Sequence, residues 1–394
     1  MKKRGMLIFL AVALLLVQTT YSLGLIGRNA DSNDVYYAEK IAALEKPAVV
    51  KIETTVTTSA KIPDITTANG EIIETSLVKD RAETYSFSGS GLIITPDGYI
   101  ITNAHVVQTD DYDKEHFIQG LMLKLRIQPE LKGIATEYLK KFDVQAKISK
   151  IEVLLPISSP TGFNQMRIPA EIKKTGSIYP GKDIAILKIS KDNLPTITSL
   201  KKETPFVGAN VIAIGYPGIA NIGLAPNEAT VTAGIISAYK TSPEGWKLIQ
   251  IDAPLNEGNS GGPLFDSKGQ MLGIITWGKK ETQGFNWAIP TELIYEYLNE
   301  LNIKPSRSML DKMYEKALSY YWKGKYTQAL LEFRHVLEIM PFHPLAPEFI
   351  YKSNIIITEN QEQVQPIKII LLLILFLATS FLICWQLTGK RKHK

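Results

Sequence analysis

Cysteine is almost missing from this chain of 394 residues: the single Cys384 lies inside an apolar run near the C-terminus. A disulfide needs a second thiol and a thiolate metal site needs several, so the chain alone can build neither. Charge is also sparse, at 21% of residues, and the net +5 is densest at the two ends, in Lys2, Lys3 and Arg4 and in Lys390, Arg391, Lys392 and Lys394. No basic stretch in the middle could follow a phosphate backbone, which argues against nucleic acid as a partner. Histidine is scarce too, with five in all. Imidazole chemistry therefore has few candidates.

Apolar residues are plentiful, at 45%, enough for two or three domains to bury real cores. Two apolar runs stand apart. Residues 2–4 are basic, 6–17 are continuously apolar, and small and polar residues follow up to Ser22, which predicts a signal peptide or signal anchor over 1–22. Residues 369–387 carry no charge, and as a helix they would cross a hydrocarbon core of ~30 Å. The basic tail at 388–394 behaves as a stop-transfer cluster. Both basic ends then stay inside. The expectation is a single-pass membrane protein with its bulk on the extracytoplasmic side, periplasmic or extracellular, and a cytoplasmic C-terminal tail.

Between these runs the periodicity changes. Val35, Ala38, Ile41 and Leu44 share a helical face, and from residue 48 the pattern becomes β-branched alternation. Up to about residue 302 the chain reads as short strands between turns, the signature of a sandwich or barrel. The predicted strands include 91–95, 99–102, 151–156, 184–189, 211–215, 229–238, 247–252, 271–277 and 285–289. A stretch at about 110–145 departs from this, with Phe117, Leu121, Leu125, Leu131, Ile134, Tyr138, Leu139 and Phe142 at helical intervals. It predicts a helical insertion, serving as a packing cover or as a lid. After a short helix at 291–301, Pro305 marks a boundary. Residues 305–358 then place Ala317, Tyr320, Tyr321, Gly324, Tyr326, Ala329, Phe333, Val336 and Pro341 where one tetratricopeptide repeat has its small, aromatic and closing positions. A single repeat cannot bury its own face, so it must pack on 345–358, on the preceding domain or on a partner.

Four segments carry the parts that acyl transfer needs: a nucleophile, a base, a group to orient the base, and donors for an oxyanion. Ser260 lies in Asn256-Glu257-Gly258-Asn259-Ser260-Gly261-Gly262-Pro263-Leu264, where glycines allow a turn tight enough for the N–H groups of Gly258 and Ser260 to converge. His105 ends the apolar run Ile100-Ile101-Thr102-Asn103-Ala104-His105, whereas His335 and His343 belong to the repeat, His393 to the tail and His116 to the insertion. Asp183 heads the apolar run Asp183-Ile184-Ala185-Ile186-Leu187, and a buried carboxylate there needs a partner such as an imidazole N–H. Asp110, Asp111 and Asp113 are nearer in sequence but form a solvated acidic cluster. Gly258-x-Ser260-x-Gly262 also fits the nucleophile elbow of an esterase, yet that requires a following helix and a late histidine, and here a strand follows.

Together the segments resemble the HtrA/Deg family of chymotrypsin-fold serine proteases over about residues 32–302. The resemblance rests on Ser88-Gly89-Ser90-Gly91, Thr102-Asn103-Ala104-His105-Val106-Val107, Asp183-Ile184-Ala185-Ile186-Leu187-Lys188, Gly215-Tyr216-Pro217-Gly218, Gly258-Asn259-Ser260-Gly261-Gly262-Pro263-Leu264 and Ala288-Ile289-Pro290. It implies a mainly β fold of two six-stranded barrels with His105, Asp183 and Ser260 between them, and an oxyanion hole at Gly258, Asn259 and Ser260. It further implies no metal, no cofactor, and homo-oligomers such as trimers acting on protein or peptide substrates. Pro254 stands where trypsin-type enzymes that cut after basic residues carry an acid, which disfavours such cleavage. Leu255, Asn286 and Ala288 would shape a modest apolar pocket, and Thr276, Trp277 and Gly278 would pair an extended substrate. Three departures stand out: Glu257 replaces the family's usual proline, a long insertion follows His105, and a repeat with a membrane anchor replaces the usual PDZ-like domain. A rival expectation is a catalytically latent scaffold that binds peptides through the barrel and partners through the repeat.

Overall fold

A computed structural model describes residues 37–60, 65–66, 72–73, 82–109, 144–159, 162–197, 200, 205–218, 228–278 and 285–390. The signal segment expected at 1–22, the tail at 391–394 and the helical insertion, except for Val144 and Gln145, lie outside the described residues. By compactness the chain divides into Met1–Lys40 and Ile41–Lys394. Helix α1 (Tyr37–Glu45) begins in the first unit, whose other residues are not described; all that follows concerns the second.

Strands β1 (Val49–Ala60), β4 (Ala82–Ile93), β5 (Tyr99–Thr102), β8 (Ala185–Ile189), β7 (Gly162–Thr175) and β6 (Val144–Ser159) pair in that order into a closed antiparallel barrel. Alternation explains β1: Ile52, Thr54, Val56 and Thr58 are buried, and the residues between them are half-buried. The β4–β5 turn is Pro96-Asp97-Gly98. Gly98 takes φ +101°, a region open to glycine, and donates its N–H to Thr95 O at 3.0 Å. A two-stranded ribbon, β2 (Ile65–Thr66) with β3 (Ile72–Ile73), lies in the β1–β4 connection. Val50, Ile52, Ile93, Ile100, Val153 and Leu187 fill the first barrel.

A second closed barrel follows the order β10 (Thr230–Thr241), β11 (Lys247–Ile251), β14 (Asn286–Pro290), β13 (Met271–Gly278), β12 (Pro263–Asp266), β9 (Asn210–Gly215). Its core contains Val211, Ala213, Ile249, Ile251, Leu264 and Ile275. The expected pair of six-stranded barrels is thus the observed architecture.

Helix α2 (Thr291–Glu300) turns Leu293, Ile294 and Leu298 inward. Beyond it, α3 (Met309–Trp322) and α4 (Tyr326–Ile339) form a helical hairpin, and α5 runs over Ala346–Lys390. The hairpin shares one apolar cluster, Leu310, Tyr314, Ala317, Phe333 and Val336, with Leu345, Ala346 and Phe349 at the start of α5. It also meets the first barrel: Ser306 N–H donates to Ile94 O at 3.0 Å and Ser158 N–H to Phe342 O at 3.2 Å. Among the described residues no helix is long and apolar enough to cross a membrane.

Two polar groups hold this helical unit. Asp311 closes a capping box with Ser308 at the start of α3, and its carboxylate also accepts from Thr196 N–H at 2.9 Å and Thr196 Oγ1 at 2.8 Å. Asp311→Ala should cost about 3 kcal/mol, because it deletes the cap and strands buried donors. Chemical unfolding monitored by circular dichroism would measure that loss.

His343 is fully buried, and its Nδ1 accepts from Ala346 N–H at 3.0 Å and Leu345 N–H at 3.3 Å, so the imidazole caps α5. Burial pushes its pKa down from 6.5 to about 3. The folded state therefore refuses a proton that the unfolded chain accepts. The stability that His343 contributes is present above pH 6.5 and is lost as pH falls from there towards about 3. His343→Gln should flatten that part of the pH dependence of the unfolding midpoint.

Candidate active site

The base candidate sits where β5 ends. The strand stops at Thr102, and the chain turns through a 3-10 segment, Ala104–Val106, that swings His105 out of the first barrel with its side chain 29% exposed. Asp183 precedes β8, the neighbour of β5 in the barrel, and is 1% exposed. Pairing of Thr102 with Ala185 brings the two together. His105 Nδ1 lies 2.7 Å from Asp183 Oδ2, and the His105 backbone N–H donates to Oδ1 at 2.9 Å. A carboxylate only accepts, so Nδ1 carries the hydrogen and Nε2 keeps a free lone pair. Asn103 Nδ2 donates to Asp183 O at 2.8 Å, which fixes the backbone of the acid as well.

The nucleophile candidate comes from the other barrel, on the loop before β12. Thr276 joins it to the pair: Thr276 Oγ1 donates to Asp183 Oδ2 at 2.8 Å, and Thr276 O accepts from Ser260 Oγ at 3.0 Å. Thr276 of β13 thus bridges Ser260 to the His105–Asp183 pair. The Ser260 hydroxyl rests on a carbonyl rather than on the imidazole.

The loop around Ser260 is tightly determined. Gly258 takes φ +96°, and a Cβ there would overlap the Tyr216 carbonyl, so only glycine fits. Gly218 N–H donates to Glu257 O at 2.7 Å, which turns the Gly258 N–H to the opposite side of its trans peptide plane. Asn259 N–H donates to Asn256 O at 3.1 Å and is used within the loop. Among the described residues the N–H groups of Gly258 and Ser260 donate to no protein acceptor. Of the three residues expected to form the hole, two keep a free amide.

The substrate side is laid out along β13 and β14. The β13–β14 register shifts between Ile275 and Gly278, and β12 pairs with β13 only as far as Ile274. Among the described residues, Thr276 therefore has no register partner in either neighbouring strand. Asn286 bridges β14 to Ala253 O at 2.7 Å, Leu255 is half-buried against the second core, and Ala288 is wholly buried within it.

Sequence reasoning assigned Thr276 a place on the substrate strand and missed the hydroxyl that holds Asp183. It also read Ser90 only as part of a motif entering the first barrel. Ser90 proves to be wholly buried against the Ser260 loop.

Residues 89–274 match the family model of the trypsin-like peptidase domain. That stretch of the chain is similar to trypsin-like peptidase domains. A probable periplasmic serine endoprotease DegP-like from Halomonas elongata is 32% identical over 219 residues, covering 54% of this chain and 35% of that protein. One of the same description from Pseudomonas fluorescens is 30% identical over 288 residues, covering 67% and 49%. The serine endoprotease DegS of Haemophilus influenzae is 27% identical over 280 residues, covering 68% and 62%. The chain therefore spans between about a third and under two thirds of the length of these relatives.

Proposed function

We propose that the chain is a membrane-anchored serine endopeptidase that hydrolyses peptide bonds of exported or misfolded proteins, with Ser260 as nucleophile, His105 as general base and acid, and Asp183 as the orienting carboxylate. The observation that carries the reading is the linkage of all three through Thr276, with two free amides beside Ser260.

In the reaction, Ser260 Oγ leaves the Thr276 carbonyl by a rotation about its Cα–Cβ bond, exchanging one hydrogen bond for another of about 1 kcal/mol. His105 Nε2 takes the hydroxyl proton as Oγ bonds to the substrate carbonyl carbon. The resulting oxyanion lies against the N–H groups of Gly258 and Ser260, and Asp183 offsets the imidazolium charge. Nε2 then gives its proton to the departing amine, leaving an acyl-enzyme. Water, deprotonated by the same nitrogen, releases the acid and restores Ser260. An extended substrate adds along β13 at Thr276 and Trp277, and the apolar setting near Leu255 favours small or medium apolar residues before the cut bond.

Anchoring is supported by the uncharged run 369–387 and the basic residues behind it. On α5, Leu372, Leu375, Phe376 and Leu377 are each more than 60% exposed. Such side chains along one helix suit a lipid phase. The barrels would then lie on the extracytoplasmic side, and the helical hairpin, a single tetratricopeptide-like unit, would space them from the bilayer or dock a partner.

A second reading, a latent peptide-binding scaffold, is favoured by the resting bond from Ser260 to Thr276. Incubation of the detergent-solubilised full chain with unfolded casein separates the two, with Ser260→Ala as the blank and product ends sequenced by mass spectrometry. Cuts after Val, Ala or Ile that vanish in the blank support the peptidase; absence of any Ser260-dependent cut supports the scaffold.

A further inference from the structure

We infer that Ser90 is a positioning residue for the oxyanion hole, holding the Ser260 loop in its productive shape from the opposite barrel. The inference rests on the peptidase reading and adds a part to it.

Ser90 lies near the end of β4 in the first barrel, wholly buried. A hydroxyl offers one donor and two acceptor sites, and a backbone residue one of each. Ser90 uses all these kinds of group, three of them across gaps of more than a hundred residues and its carbonyl within 12. Its Oγ donates to Gly258 O at 2.7 Å and accepts from Tyr216 N–H at 2.8 Å. Its own N–H donates to Ser260 O at 2.7 Å, and its carbonyl accepts from Thr102 Oγ1 at 2.7 Å.

These contacts decide where the amides of the hole point. Ser90 grips the carbonyls of Gly258 and Ser260, on either side of Asn259, so both ends of the turn are fixed to one residue. The Glu257–Gly258 plane, which contains the Gly258 N–H, is held separately by Gly218 N–H on Glu257 O at 2.7 Å. Ser90 Oγ ties that support down too, because Tyr216, two residues before Gly218, donates to it. One hydroxyl thus joins the plane after Gly258 to the segment that restrains the plane before it. Gly258 lacks a side chain to restrain it, and its φ of +96° belongs to a region where glycine moves freely. Without the Ser90 hydroxyl, the Gly258 carbonyl loses its donor and the loop can rotate its amide away from the reacting oxygen.

The consequence is specific to the transition state. Ser90 touches no substrate, and its removal leaves His105, Asp183 and Ser260 in place. Ser90→Ala should lower kcat by about 10- to 100-fold, less than the ~10²–10³ lost when an oxyanion donor is deleted outright. KM should change by less than about 3-fold, the pattern of an interaction made only in the transition state. Affinity for a peptide boronate, whose tetrahedral adduct places an oxygen in the hole, should fall in parallel with kcat. Ser90→Thr keeps the hydroxyl and should restore most of the rate; it also decides the case if the alanine variant folds poorly. Thr95→Ala, which removes a different buried hydroxyl from the first barrel, should lower the melting temperature without this loss of kcat.

The test compares these variants with the wild-type full chain on one peptide substrate, together with fluorophosphonate labelling of Ser260. Labelled, active wild type with a parallel fall of kcat and boronate affinity in Ser90→Ala supports the inference. Active wild type with unchanged kcat in Ser90→Ala, or a Ser90→Thr variant as impaired as Ser90→Ala, overturns it. A wild type without Ser260-dependent labelling or turnover overturns the peptidase reading itself, and this inference with it.

Discussion

Replacing Ser260 or His105 with alanine should lower kcat by about 10⁶, and replacing both should cost little more than either alone. The lack of additivity follows from the geometry. Ser260 Oγ needs a base to lose its proton, and His105 Nε2 has no proton to take if the hydroxyl is gone. Residual turnover above water, from the free amides of Gly258 and Ser260, should survive in each variant. Single-turnover measurements on a peptide anilide would separate this from contamination, which would be blocked by an added inhibitor in the alanine variants. An effect below about 10²-fold for either residue would mean that the group does not act in the chemical step.

Asp183→Asn should lower kcat by about 10⁴ with little change in fold. The carboxylate now accepts three donors: His105 N–H, His105 Nδ1–H and the Thr276 hydroxyl. An amide side chain has one oxygen to accept and an NH₂ that must donate. With its NH₂ facing the ring, Nδ1 must become the acceptor and the hydrogen moves to Nε2, the nitrogen that has to take the Ser260 proton. With its oxygen facing the ring, the NH₂ instead meets the His105 backbone N–H. Activity should partly return at high pH, where the wrong tautomer can be bypassed, and a pH–rate profile would show it. A variant with wild-type kcat would remove Asp183 from the mechanism.

The parts of the site that could be read from sequence are those in which residue type and backbone demand coincide. His105 follows an apolar strand, Asp183 heads one, and Ser260 lies among glycines that the tight turn requires. The choice of Asp183 over Asp110, Asp111 and Asp113 rested on burial, and the Thr102–Ala185 pairing is the physical reason it sits beside His105. What stayed hidden depends on orientation across long separations. Ser90 and Gly258 are 168 residues apart, and no local pattern announces that one hydroxyl reaches the other's carbonyl. Thr276 is a similar case, since its hydroxyl and its carbonyl face different members of the site.

The fold shows the same division. Strands with runs of Ile, Leu and Val, such as β8 and β13, were evident, but β7 was not. Pro169 sits inside β7 and would ordinarily argue against a strand. It stands where β7 passes from one neighbour to the other: pairing with β6 ends at Glu152–Pro169, and pairing with β8 starts at Ala170. His343, read as an ordinary residue of the repeat, caps α5 through a ring nitrogen, a role that depends on the turn at 340–345 rather than on composition.

The most direct test of the central claim is to label the full chain with a fluorophosphonate and map the adduct by peptide mass spectrometry, in wild type and in His105→Ala. The account predicts a single adduct on Ser260 in the wild type and a rate of labelling reduced by orders of magnitude without His105. Labelling of another serine, or labelling of Ser260 at an unchanged rate without the imidazole, would contradict it.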